Sequence, residues 1–103
     1  MTNKLDRQII FVYPSHIDIA GSIPAGFLLS QIFYWSEKKE SGEFYKTDEE
    51  FCNELRMGLD QLTRAKNKLK QLGLISITRK GIPAKSYYKL NMGKYLECMK
   101  GNS

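Results

Sequence analysis

From Gln61 to Leu96 the chain carries no aspartate or glutamate, although 11 of its 103 residues are acidic. An exposed helix usually interleaves Glu with Lys to gain pairs one turn apart. A segment this poor in acid is therefore not an ordinary solvated surface. Residues 1–55 hold five Lys/Arg against nine Asp/Glu, a balance of −4, whereas residues 56–103 hold eleven against two, a balance of +9. The net charge of +5 hides this split, which predicts a polyanionic partner for the second half.

Other shortages narrow the class. Cys52 and Cys98 are the only cysteines and lie far apart; with the lone His16 they do not complete a zinc set, and both are expected reduced. His16 has no spaced Ser, Cys or Asp partner that would form a catalytic set, so a surface or capping role is expected for it. No phosphate-cradling glycine loop is present. The expectation is a protein that is not an enzyme and needs no cofactor or metal. No apolar run approaches the roughly 18 residues of a membrane span, and Met1-Thr2-Asn3-Lys4-Leu5-Asp6 is not a secretory signal. A cytoplasmic location is expected, with no membrane partner.

What is present reads as one domain over 1–103, α+β and mostly helical, with 42% hydrophobic residues to build a core. A β-branched and aromatic run closed by Pro14-Ser15 predicts a short strand at 7–13. Ser22 or Ile23 precedes Pro24, which suits a first helical turn, and predicts a helix over 23–39. Within it Leu28, Ile32 and Trp35, widened by Leu29 and Phe33, form a broad apolar stripe. Ser41-Gly42 breaks the helix, and Glu43-Phe44-Tyr45-Lys46 alternates as a brief strand whose aromatics cover it.

Thr47-Asp48-Glu49-Glu50 is a capping box opening a helix over 47–56, which accounts for the acidic cluster without a metal. Met57-Gly58-Leu59-Asp60 then reads as a turn in which Gly58 takes positive φ, Leu59 plugs the core and Asp60 caps the next helix. That helix, 60–72, places Leu62, Ala65, Leu69 and Leu72 on one face and stops at Gly73. Two β-rich runs within 74–90, separated by Lys80-Gly81-Ile82-Pro83-Ala84, predict a hairpin, and 92–100 a terminal helix. Tyr87 and Tyr88 are expected to complete a core edge in preference to stacking on unpaired bases.

Helix, four-residue turn, helix, then basic hairpin is the order of a winged helix-turn-helix with a small hairpin wing. On the second helix, the face opposite Leu62 and Ala65 carries Thr63, Arg64, Asn67, Lys70 and Gln71, with Gln61 nearby and Lys66 and Lys68 on the flanks. Arg forks onto guanine and Asn or Gln onto adenine, while lysines meet phosphates; Arg64 and Asn67 are the strongest base-reading candidates. Arg79, Lys80 and Lys85 around Gly81 would bring the wing to a neighbouring backbone or minor groove.

Four blocks carry a family resemblance: Leu28-Leu29-Ser30-Gln31-Ile32-Phe33-Tyr34-Trp35-Ser36, Phe44-Tyr45-Lys46-Thr47-Asp48-Glu49-Glu50, Leu72-Gly73-Leu74-Ile75, and Gly81-Ile82-Pro83-Ala84-Lys85-Ser86-Tyr87-Tyr88. Together, over roughly 24–91, they resemble the amino-terminal winged-helix domain of Gram-positive phage and plasmid replication initiators, including DnaD-like replisome organisers. The resemblance implies DNA binding, duplex or single-stranded, in replication of a mobile element. It also implies a replication helicase or initiator protein as partner, with Gln61–Gln71 as recognition helix. Asp60 stands where the family often has serine. The alternatives are a dimeric transcriptional regulator on the same scaffold, or a protein-interaction module of a replication complex.

Overall fold

The computed structural model describes residues 12–101. The strand expected at 7–13 lies outside the described residues up to position 11. Its last residue, Tyr13, is instead the N-cap of a helix, α1, Pro14–Ala20. Proline fixes φ near −65° and has no N–H to leave unsatisfied, so it opens a helix as readily as it ends a strand. Here Pro14 does the former, and α1 is an element the sequence reading missed.

Gly21 ends α1 at φ 88°, its N–H bonded to the Ile17 carbonyl at 2.9 Å. Ser22 then caps α2, Ile23–Glu37, its hydroxyl accepting the Ala25 amide at 3.2 Å. The helix stops two residues short of the expected 39. The pair α1 and α2 bends by 117°, and no single described helix is long and apolar enough to cross a membrane. Gly26 permits the bend: a Cβ there would stand 2.5 Å from the Ile17 Cα.

The second helix is the centre of the molecule. Ala25, Leu28, Leu29 and Ile32 are fully buried, while Phe33 and Trp35 lie partly exposed at the edge of the core. Ser30, Gln31 and Ser36 on its other sides are buried as well, so this helix is wrapped nearly all round.

Strand β1, Glu43–Tyr45, leads to α3, Asp48–Leu55. The capping box is complete: the Glu50 amide donates to Thr47 Oγ1 at 3.0 Å, and the Thr47 amide donates to Glu50 Oε1 at 2.9 Å. That backbone bond holds the Glu50 carboxyl below its usual range. The turn after α3 departs from expectation. Arg56, not Gly58, takes the left-handed conformation (φ 56°), and Gly58 is extended at φ −80°. The next helix, α4, Leu59–Gln71, begins one residue early, so Leu59 is its first residue and is 56% exposed instead of plugging the core. Gly58 is the N-cap in place of Asp60, and its amide donates to Gln61 Oε1 at 3.2 Å.

Gly73, at φ 76°, turns the chain from α4 into β2, Ile75–Lys80. Strand β3, Lys85–Leu90, pairs antiparallel with β2 on one side and with β1 on the other, giving the order β1-β3-β2. The register puts Phe44 opposite Tyr88 and Tyr45 opposite Tyr87. With period-two alternation, Phe44, Tyr88, Leu90 and Ile75 point into the core and are buried. Tyr88 completes the core edge, stacked on Phe44 at 5.6 Å and edge-on to Phe51 at 5.1 Å.

Helix α5, Met92–Gly101, returns to α1. The tie is His16, which is fully buried, not at the surface: Nδ1 lies 2.7 Å from Ser30 Oγ and Nε2 2.7 Å from the Tyr95 hydroxyl. A single histidine looks like a surface residue in sequence because its hydroxyl partners come from α2 and α5, 14 and 79 positions away. Burial lowers its pKa to about 4, so the ring is neutral near pH 7. A second buried polar group joins α2, β1 and α3: Lys46 pairs with Glu54, which also accepts from Gln31 Nε2 at 2.6 Å. The Lys46 ammonium sits 4.1 Å from the centre of the Trp35 ring.

Candidate nucleic-acid interface

Helix α4 owes its position to three side chains. Leu62, Ala65 and Leu69 are buried against α2 and α3, each leucine contributing about 1.5–3 kcal/mol relative to exposure. With that stripe anchored, the helical repeat of roughly 100° per residue decides what faces solvent. Thr63, Arg64, Asn67, Lys68, Lys70 and Gln71 are all exposed. Arg64, Lys68 and Lys70 have no carboxylate partner among the described residues. Gln61 is exposed too, but its carbonyl is turned back onto the Gly58 amide.

Lys66 departs from the expected flank position. Its ammonium reaches back to Asp48 Oδ1 at 2.7 Å and lies 3.5 Å from the Tyr88 hydroxyl, with 17% of the side chain exposed. Burial by itself pulls this ammonium's pKa down, but the hydrogen bond to Asp48 and the charges of Tyr88 and Asp48 outweigh it, and the net shift is upward. Lys66 is therefore a charged strut between α4, α3 and the sheet. Lys68, on the opposite flank, runs over Gly21. There, Arg64, Lys68 and Gln61 line a groove of about 340 Å³ with Gly21, Ser22 and Pro24.

The hairpin cations do not share one direction. Arg79, opposite Ser86, is held within the hairpin, Nη1 donating to Ser86 Oγ at 3.0 Å and Nη2 to the Ala84 carbonyl at 3.4 Å. Lys80 and Lys85 lie on the other face of the sheet by alternation. Lys80 pairs with Glu43 at 2.7 Å and covers the Tyr87 ring, and Lys85 covers the Tyr45 ring. The structure thus gathers six of the eleven predicted contacts on one open helix face, withdraws Lys66, and divides the wing. Tyr45, expected to cover the long helix, and Tyr87, expected to complete a core edge, lie instead on the outer sheet face by strand alternation, beside Lys89, which sequence reasoning passed over. The cross-strand pairing that assembles that face joins residues about forty positions apart, and no local signal reports it.

A solved structure described as the N-terminal domain of a DNA binding protein superposes on this chain with a TM-score of 0.59 at 15% identity, covering 100% of this chain and 93% of its own. The fold is a winged helix-turn-helix. At that identity the likeness is one of architecture. No family model and no curated protein matches the chain. Within the fold, α3 and α4 follow each other across a short turn, and β2 and β3 with their loop form the hairpin that comes after them.

Proposed function

We propose that this protein is a DNA-binding module that lays the exposed face of α4 in the major groove of duplex DNA, serving replication of a phage or other mobile element. The observation that carries the reading is the α4 surface: Arg64, Lys68 and Lys70, with no carboxylate partner among the described residues, stand beside Asn67 and Gln71. Arg64 and Asn67 would read base edges, and Lys68 and Lys70 would hold phosphates. The description of the superposable structure as a DNA-binding protein's domain supports the same function. The resemblance of the four sequence blocks to phage and plasmid replication initiators supports the replication setting and a replication helicase or initiator as partner. A non-enzymatic role is supported by His16, whose ring is sealed in the core between Ser30 and Tyr95.

The test is charge reversal at Arg64 and Lys70, with binding to a duplex followed by fluorescence anisotropy across a salt series. With Lys68 and Lys70 each on a phosphate, wild-type log K falls with log salt at a slope of about −1.8 or steeper. The double reversal is expected to abolish binding while circular dichroism stays native. A salt-independent wild-type affinity, or unaltered binding by the folded variant, contradicts the reading.

A further inference from the structure

Five polar and aromatic side chains with no place in the α4 interface lie together on the outer face of the sheet. Alternation along the strands sends Tyr45 from β1, Lys85, Tyr87 and Lys89 from β3, and Lys80 from β2 away from the core. Tyr45 and Tyr87 are cross-strand partners with ring centres 5.7 Å apart, and Tyr45 is 48% exposed. The Lys85 ammonium sits 4.3 Å from the centre of the Tyr45 ring and the Lys80 ammonium 4.6 Å from that of Tyr87. Among the described residues of the three strands, Glu43 is the one acid, paired with Lys80 and opposite Lys89 in register. Three lysines against one glutamate leave the face cationic around an aromatic centre.

We propose that this outer sheet face is a second nucleic-acid site, which takes the unpaired bases of single-stranded DNA on Tyr45 and Tyr87 and its phosphates on Lys80, Lys85 and Lys89. Chemistry favours single strand over duplex here. Paired bases are stacked on each other and offer only their edges in the grooves, so a tyrosine face gains nothing from them. An unpaired base stacks on an aromatic ring more strongly than an exposed ammonium rests on it. An arriving base therefore displaces Lys80 or Lys85 from its ring, and the freed ammonium remains within reach of the adjoining phosphate. The site goes beyond the α4 reading and uses a separate surface, so each stands or falls alone.

The test compares affinity for a thymidine oligonucleotide of about 15 nucleotides with affinity for a mixed-sequence duplex, at one salt concentration. Tyr45→Ala with Tyr87→Ala is expected to weaken single-strand binding about tenfold or more and to leave duplex binding within about twofold. Tyr45→Phe keeps the stacking face and is expected to bind as wild type. Lys89→Glu, which touches no predicted duplex contact, is expected to weaken single-strand binding severalfold. If the double variant does not fold, Tyr45→Ala alone decides, because that side chain stands at the surface. Undiminished single-strand binding by the tyrosine variants, equal loss on both DNAs, or loss in Tyr45→Phe overturns the proposal. A wild-type protein that binds duplex but no single strand overturns this site and keeps the α4 reading; binding of single strand alone does the reverse.

Discussion

His16 Nε2 stands 2.7 Å from the Tyr95 hydroxyl, and this contact joins α1 to α5 across the full length of the described chain. The other ring nitrogen meets Ser30 at 2.7 Å on α2, so one imidazole ties three helices. A neutral ring donates through one nitrogen and accepts through the other, and both hydroxyls suit either role.

The first prediction concerns acid. The folded pKa of His16 is lowered to about 4 from the ordinary 6.5, so between these values the unfolded chain binds a proton that the folded chain refuses. The stabilisation is complete above about pH 6.5 and lost as pH falls through about 4, amounting to roughly 3 kcal/mol. Urea unfolding at pH 7 and pH 4.5 measures it. His16→Gln is expected to lower stability at pH 7 and to flatten the dependence over this window; an equally steep dependence in the variant would refute the assignment.

A second prediction tests the bend between α1 and α2. Gly26→Ala places a methyl 2.5 Å from the Ile17 Cα, against backbone that a side-chain rotation does not relieve. The expected loss is about 1–3 kcal/mol or more, seen as a lower midpoint in thermal denaturation. Gly93→Ala, within α5, where a Cβ meets only the Asn91 side chain at 3.7 Å, is the matched control and is expected to melt at or slightly above wild type.

Lys66 and Lys70 provide a third. Both are lysines on α4, but Lys66 is engaged by Asp48 and Tyr88 while Lys70 is open to solvent. Lys66→Ala is expected to lower stability by about 1 kcal/mol, a drop in melting temperature of about 4–8 °C, with DNA affinity nearly unchanged. Lys70→Ala is expected to leave the melt alone and weaken duplex binding severalfold. Melting curves and anisotropy on the same two samples check the exchange of effects, and a binding loss in Lys66→Ala would contradict it.

Much of the fold was legible because its signals are local. Thr47 and Glu50 lie three positions apart and bond each other wherever the chain goes. The Leu62, Ala65 and Leu69 stripe turns α4 whatever it packs on, and Gly73 stops it. The Pro14 boundary was misread because its backbone preference serves two elements. The turn before α4 was misread because Arg56 adopted the left-handed conformation for which Gly58 was the better chemical candidate.

Order of elements, helix caps and the acid-poor second half belong to the chain as written, since each depends on neighbours within a turn or on composition. Which cations stay free, where the lone imidazole goes and which tyrosines meet across strands depended on packing. Those outcomes join residues 14 to 79 positions apart, such as His16 with Ser30 and with Tyr95, and linear spacing carries no information about contacts at that range.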